Sequence, residues 1–270
     1  MKTPITYYGG KQTLAEDIVS MIPRHRIYCE PFFGGGAVFF AKQPSYLEVI
    51  NDHNQVLMTF YHQVQENFEQ LSQLIMQSLY SESDYMLAKE IYFNPADYEP
   101  VRIAWAVWIV FNFSFAATVS GGWRWSNGQT RSHPAIMMQN KKSIITQSLY
   151  NRLKFVQISC HDALKVIQER DTPDTFFYLD PPYPGADQRH YKGYTYKHFE
   201  QLLETMGSIQ GRFILSNYNS DLLQEYVTRY RWNTRAIELN LSVSNLLQSR
   251  KKTEWLIWNY DLEEQPTLFT

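Results

Sequence analysis

The chain has 270 residues, with 25 Lys and Arg against 27 Asp and Glu and a formal net charge of −2. That length is long for one domain and short for two, and it predicts a catalytic core carrying a sizeable insertion. Apolar residues at 44% can fill a large core, while 19% charged residues, 12 Gly and 12 Pro exclude disordered, collagenous and low-complexity classes.

Residues 13–21 read as a helix, with Leu14, Ile18 and Met21 at helical spacing. Residues 26–30 read as a strand entering the turn Glu30-Pro-Phe-Phe-Gly-Gly-Gly36, followed by a helix over 37–42 and a second strand over 46–50 that ends in Asn51-Asp52. This is a βαβ unit with an acidic residue closing its second strand. Residues 55–80 are expected to be helical, with Val56, Phe60, Val64, Phe68, Leu71, Ile75 and Leu79 on one stripe. Further helices are expected over 82–120, and a hairpin over 121–132 turning at Asn127-Gly128. The α/β pattern resumes near Val156, with strands expected over 155–159, 176–179, 212–216, 234–241 and 254–260 and helices over 163–169, 198–206 and 222–230. The expected organisation is an α/β core, residues 1–54 and 151–270, split by a mostly helical insertion, residues 55–150.

Cys29 and Cys160 have no Cys or His partner at ligand spacing, so no metal site is expected. The N-terminus, MKTPITYYGGK, lacks the apolar run of a signal peptide. The most apolar window, residues 101–119, carries Arg102 and Asn112 and is rich in Trp and Phe, which fits a buried helix better than a membrane span. The expectation is a soluble, reduced, cytoplasmic protein.

The near-zero net charge hides an uneven distribution. Residues 60–100 hold Lys89 as their single Lys or Arg, against Glu66, Glu69, Glu82, Asp84, Glu90, Asp97 and Glu99. Residues 101–161 hold no Asp or Glu, but carry Arg102, Arg124, Arg131, Lys141, Lys142, Arg152 and Lys154. A local basic surface of this kind suits a polyanion. In the expected hairpin, Arg124 lies opposite Arg131 and Ser126 opposite Gln129, so these four side chains share one face. Two facing arginines make sense with an anion between them, and Asn127 at the turn and Lys141 and Lys142 beyond it extend the candidate DNA contact.

The glycines of the first turn let backbone approach a ligand without Cβ clashes, and the helix after it favours negative charge. With Asp52 at the end of the next strand, they point to a nucleoside-like cofactor. Gly9-Gly10-Lys11 lacks the spacing and the preceding strand of a phosphate loop, so no nucleotidase is read there.

Asp180-Pro181-Pro182-Tyr183 is the most specific signal. An apolar strand delivers a carboxylate at its C-terminal end, where open α/β sheets place ligands. The prolines stiffen the backbone and carry no N–H, which leaves carbonyls for a substrate's hydrogens. The lone pair of an aromatic amine is delocalised into its ring. Two acceptors on its hydrogens, the Asp180 carboxylate and the Pro181 carbonyl, favour a tetrahedral nitrogen with a localised lone pair. Tyr183 offers a stacking face.

At these motifs the chain resembles the D12 class of DNA N6-adenine methyltransferases, found in bacteria and their phages and including restriction-modification enzymes. The resemblance rests on Tyr7-Tyr-Gly-Gly-Lys11, Glu30-Pro-Phe-Phe-Gly-Gly-Gly36, Asp180-Pro-Pro-Tyr183 and Thr253-Glu-Trp-Leu-Ile-Trp-Asn-Tyr260. Their order is that of the family's alpha group. The resemblance implies a Rossmann-like core using S-adenosyl-L-methionine, with the insertion as target-recognition domain for double-stranded DNA. It implies cofactor contacts at Tyr7, Lys11, Asp52 and Asp180, and a methionine pocket shaped by Phe32, Gly34 and Gly36 in the loop that Glu30 opens. Asp52 is expected at the ribose hydroxyls, Asp162 at the cofactor adenine and residues 216–218 near the target base. Related motifs serve methyltransferases of cytosine N4, RNA adenine and protein glutamine. A DNA-binding protein without catalysis is the non-enzyme alternative.

Overall fold

The computed structural model describes residues 1–128, 133–184, 193–240 and 251–262. Among the described residues seven strands form one sheet: β1 (Ile27–Glu30), β2 (Leu47–Asn51), β3 (Gln157–Ser159), β4 (Thr175–Leu179), β5 (Arg212–Asn217), β6 (Asn233–Asn240) and β7 (Lys251–Trp258). Their order is β3-β2-β1-β4-β5-β7-β6. The first five are parallel, and β7 runs antiparallel to both β5 and β6. This is an α/β fold of the Rossmann-like type. The chain winds outward in both directions from β1 and β4, so their C-terminal ends flank the switch-point crevice.

The helices are α1 (Ala15–Met21), α2 (Ala37–Ala41), α3 (Gln55–Glu66), α4 (Phe68–Gln77), α5 (Glu82–Phe93), α6 (Pro100–Phe113), α7 (Pro134–Lys142), α8 (Gln147–Leu153), α9 (Ala163–Arg170), α10 (Tyr196–Ser208) and α11 (Asp221–Tyr230). Side chains alternate across β4, as a strand requires. Phe176 and Tyr178 join a core with α3 and α6, whereas Phe177 and Leu179 join a core with α9, α10 and α11. Every residue of β4 is buried, which is why it reads as an unbroken apolar run. Helices α3 and α6 therefore cover one face of the sheet. Helix α6, buried from Val101 to Phe113 except at Arg102, lies in the same hydrophobic cluster as Tyr28, Phe39 and Phe176. Residues on either side of the boundary expected near residue 54 share this one hydrophobic cluster.

Two expectations need correction. The stripe over 55–80 breaks at Asn67, whose backbone leaves the helical region (φ −135°, ψ 41°), and its apolar positions are shared between α3 and α4. Helices α7 and α8 occupy 134–153, which the periodicity left unassigned. Of the hairpin expected over 121–132, residues 129–132 lie outside the described residues, and in the described arm Trp123 bridges Ser114 in antiparallel fashion. Phe115 N–H donates to Gly122 O at 2.8 Å and Arg124 N–H to Phe113 O at 2.9 Å. The backbone leaving α6 turns extended at Ser114, and Phe113 O and Phe115 N–H find these partners beyond the helix end. Gly128 has φ +84°, but Asn127 has no positive φ, and a type I′ turn needs both. Gln129, Thr130 and Arg131, the opposite arm of the expected hairpin, lie outside the described residues.

Candidate active site

Four carboxylates reach the C-terminal edge of the parallel strands. Glu30 ends β1, while Asp52, Asp162 and Asp180 follow β2, β3 and β4 closely. Over this edge lies a cleft of about 650 Å³, a size typical of cofactor sites, which run from about 300 to 1,000 Å³. Each residue expected at the cofactor or the target amine lines it: Tyr7, Lys11, Glu30, Phe32, Gly34, Gly36, Asp52, Asp162, Asp180, Pro181, Pro182 and Tyr183.

The glycine turn is shaped by what packs on it. Gly34 has φ +48°, and a Cβ there would come within 2.9 Å of the Tyr7 ring. Gly36 has φ +65°, and a Cβ there would fall on the Phe33 ring. Both positions are left-handed as well as crowded, so glycine is required. Tyr7 stacks on Phe111 of α6 at 5.2 Å with 23° between the rings, and so joins the turn to the insertion. Asp52 holds the turn from the other side: Oδ2 accepts from Gly34 N–H and Oδ1 from Asn54 N–H, each at 2.9 Å. The anion expected at the start of α2 is thus in part the protein's own carboxylate. Burial raises the Asp52 pKa, and the two N–H donors counter that shift. Asp162 caps α9, its Oδ1 accepting from Leu164 N–H at 2.9 Å and Lys165 N–H at 3.3 Å.

Beside Asp180 the chemistry is ionic. Lys11 Nζ donates to Asp180 Oδ1 and to Tyr183 Oη, both at 2.6 Å. Tyr183 Oη donates to Glu254 Oε1 at 2.5 Å, and Ser216 Oγ donates to the same oxygen at 2.7 Å. Burial, reinforced by Asp180 and Glu254, pushes the Tyr183 phenol far above its ordinary range and keeps it a donor. The Tyr183 ring lies 4.2 Å from that of Tyr218, just beyond β5. Burial also pushes the Glu30 carboxyl up to about 8, with Asp180 adding to the shift and the Tyr28 hydroxyl, at 2.7 Å, opposing it.

The candidate DNA contacts fare differently. Arg124 is half-buried, its Nη1 3.7 Å from Met137 Sδ, and its carbonyl accepts from the Tyr80 hydroxyl. Ser126 Oγ accepts from Gly128 N–H at 3.1 Å, and Asn127 is exposed. Gln129 and Arg131 are outside the described residues. Lys141 turns to Thr3 O at 3.1 Å, and burial lowers its ammonium pKa to about 8. Lys142 is a correction. Its buried ammonium donates to Met76 O at 2.9 Å and Ser78 O at 2.7 Å, so it is used up in holding α7 to the segment after α4. Arg152 is likewise turned inward, onto Glu48 and Phe39 O. The acid-free stretch therefore yields a smaller basic surface than its composition predicts.

Glu254 was within a quoted motif but had no expected role. The signal was a carboxylate inside an otherwise apolar strand, Glu254-Trp-Leu-Ile-Trp258. Because β7 is antiparallel, its N-terminal half, not its end, lies beside the C-terminal end of β5, where Glu254 reaches Tyr183 and Lys11. Tyr61, whose hydroxyl donates to Gly34 O at 2.9 Å, carried no signal beyond helical periodicity.

The family model for D12 class N6 adenine-specific DNA methyltransferases matches residues 7–240. The chain belongs to this family. A Type II methyltransferase, M1.LlaDCHI of Lactococcus lactis subsp. cremoris, is 28% identical over 93% of this chain and 93% of its own length. The Type II methyltransferase M.MjaIII of Methanocaldococcus jannaschii is 26% identical over 68% of this chain and 69% of its own. The DNA N-6-adenine-methyltransferase of Escherichia phage P1 is 29% identical over 72% of this chain, a match that spans 26% of the phage protein. As a D12 enzyme the chain is an adenine-specific DNA methyltransferase, which implies a methyl donor of the S-adenosylmethionine type and a DNA substrate. Among the described residues no cluster of three or more His, Cys, Asp or Glu could hold a metal, and no helix is long and apolar enough to cross a membrane.

Proposed function

We propose that this D12 methyltransferase uses S-adenosyl-L-methionine to methylate N6 of an adenine flipped out of double-stranded DNA, at a defined sequence, in the cytoplasm. The observation that carries the reading is the Asp180 carboxylate, 21% exposed, in the cleft that also holds the glycine turn and Asp52. The donor set suits a cationic nucleoside: Asp52, Asp162 and Asp180 line a cleft of sufficient volume beside the protonated Glu30 carboxyl, and the Lys11 ammonium is taken up by Asp180. Asp52 would take the ribose hydroxyls and Asp162 the adenine end. Tyr7, Phe32, Gly34 and Gly36, with Glu30 beneath, would enclose the methionine end. When bound, the cofactor supplies an electrophilic methyl group.

The chain's residues prepare the amine. Asp180 and the Pro181 carbonyl accept its two hydrogens and so localise the nitrogen lone pair toward the cofactor side. Pro182 stiffens the segment, and Tyr183 presents its ring to the base. An amine inside a stacked duplex cannot reach Asp180, so the base must leave the helix at a cost of a few kcal/mol. Arg124, Ser126 and Asn127, with Gln129, Arg131 and Lys141, form the assigned DNA-facing set. Labelled methyl transfer offered DNA and RNA, followed by nucleoside analysis, tests the reading. N6-methyldeoxyadenosine is expected. Label on cytosine N4, in RNA or in protein would overturn it.

A further inference from the structure

We propose that Glu254 is a positioning residue for methyl transfer: it anchors Tyr183 and takes the phenol proton that Asp180 would otherwise accept. The inference rests on the proposed function. Glu254 is fully buried at the start of the apolar part of β7, where a carboxylate is costly unless it is used. One of its oxygens, Oε1, meets three groups of the site: Tyr183 Oη at 2.5 Å, Ser216 Oγ at 2.7 Å and Lys11 Nζ at 3.5 Å.

The direction of these hydrogen bonds matters. A phenol has one proton to give. Two carboxylates lie within its reach, Glu254 Oε1 at 2.5 Å and Asp180 Oδ1 at 3.4 Å. The nearer takes it. The chain of donation then runs from Lys11 through the Tyr183 hydroxyl to Glu254, and it steers the phenol proton away from Asp180. Asp180 has to accept hydrogens from the amine, and each donor already on its oxygens weakens it for that task. Removing the Glu254 charge would let the phenol swing to Asp180, which already holds Lys11 at 2.6 Å. The Tyr183 ring, pinned by its hydroxyl on one side and by Tyr218 at 4.2 Å on the other, would lose its fixed tilt. Displacement of a reacting group by about 1 Å can cost about 10²-fold in rate.

A double-mutant cycle on the full chain tests this. Glu254→Gln keeps the shape and the fold while removing the charge, and Tyr183→Phe removes the phenol while keeping the ring. Each is expected to lower kcat about 10- to 100-fold with KM for S-adenosylmethionine changed less than about threefold. The double variant should fall no more than about threefold below the worse single, because both break one chain of donation. Glu254→Asp, which restores the charge, should recover part of the loss. A downfield hydroxyl proton resonance from Tyr183 should be present in the wild type and shifted upfield in Glu254→Gln, an assay that needs no turnover. Wild-type kcat in Glu254→Gln, or single effects that multiply, would overturn the inference. Absence of N6-methyldeoxyadenosine with an active wild type would instead strike the proposed function.

Discussion

Glu30 is a carboxyl that its surroundings keep neutral. Burial raises it from 4.5 to about 8, so the folded chain holds a proton there that the unfolded chain has lost. Below pH 4.5 both states are protonated and the group is silent. Between pH 4.5 and about 8 the folded state binds the extra proton, so stability falls as pH rises, at about 1.4 kcal/mol per unit at most. Above about 8 both states are ionised and the loss is constant. Glu30→Gln, which still accepts from Tyr28, should therefore gain stability on the wild type steadily from pH 5 to 8. Denaturant titrations across that range measure it, and a difference that does not change with pH would contradict the assignment. Lysines show what a sequence leaves open at this scale. Lys11, Lys141 and Lys142 read alike as cations, yet one meets Asp180 and the others meet backbone carbonyls. Spacing along the chain does not say where the end of a four-carbon stem will settle. Lys142→Met should cost about 1.5–3 kcal/mol, the worth of charged hydrogen bonds, and leave DNA affinity at the wild-type level. A tenfold loss of DNA affinity in a folded Lys142→Met would restore it to the DNA surface.

At the scale of elements, the parts nearest the cleft were the most legible. Strands β1, β2 and β4 and the glycine turn fall within a residue or two of their expected bounds, because buried parallel strands are short apolar runs closed by residues that cannot continue them. Asp52 and Asp180 could be placed at strand ends for the same reason. The helical break at Asn67 was hidden because two helices in succession on one core keep nearly the same stripe. The antiparallel return that brings Glu254 to the cleft is a matter of strand order, which periodicity does not encode. The backbone leaving α6 pairs with residues 122–124, a contact that no dipeptide signal predicts. That pairing fixes the root of Arg124 through Phe113 O and Tyr80 while leaving its side chain half-exposed. Arg124→Ala should weaken DNA binding and spare cofactor binding. If Arg124 reads a guanine, preference at one base position relaxes by about 1–3 kcal/mol. If it meets phosphate, affinity drops evenly and the salt slope shrinks by about one. Wild-type affinity and specificity in this variant would remove Arg124 from the DNA surface.

The whole molecule has one buried network across the division between core and insertion. Phe39 and Phe176 of the core share a hydrophobic cluster with Trp108 and Ile109 of α6, and Tyr7 links the glycine turn to Phe111. Thermal unfolding should therefore be a single transition with matching calorimetric and van't Hoff enthalpies. Two resolved transitions would mean that residues 55–150 unfold alone. The same continuity joins the segment after α6, proposed to face DNA, to the cleft that holds Asp180, and the central proposal is that this joined site marks adenine in DNA. The most direct measurement is methylation-aware sequencing of DNA from cells expressing the chain, beside cells expressing Asp180→Ala. The account predicts N6-methyladenine at one short recurring sequence with the wild type and none with Asp180→Ala. Unmarked DNA with the wild type, a mark on cytosine, or an undiminished mark with Asp180→Ala would contradict it.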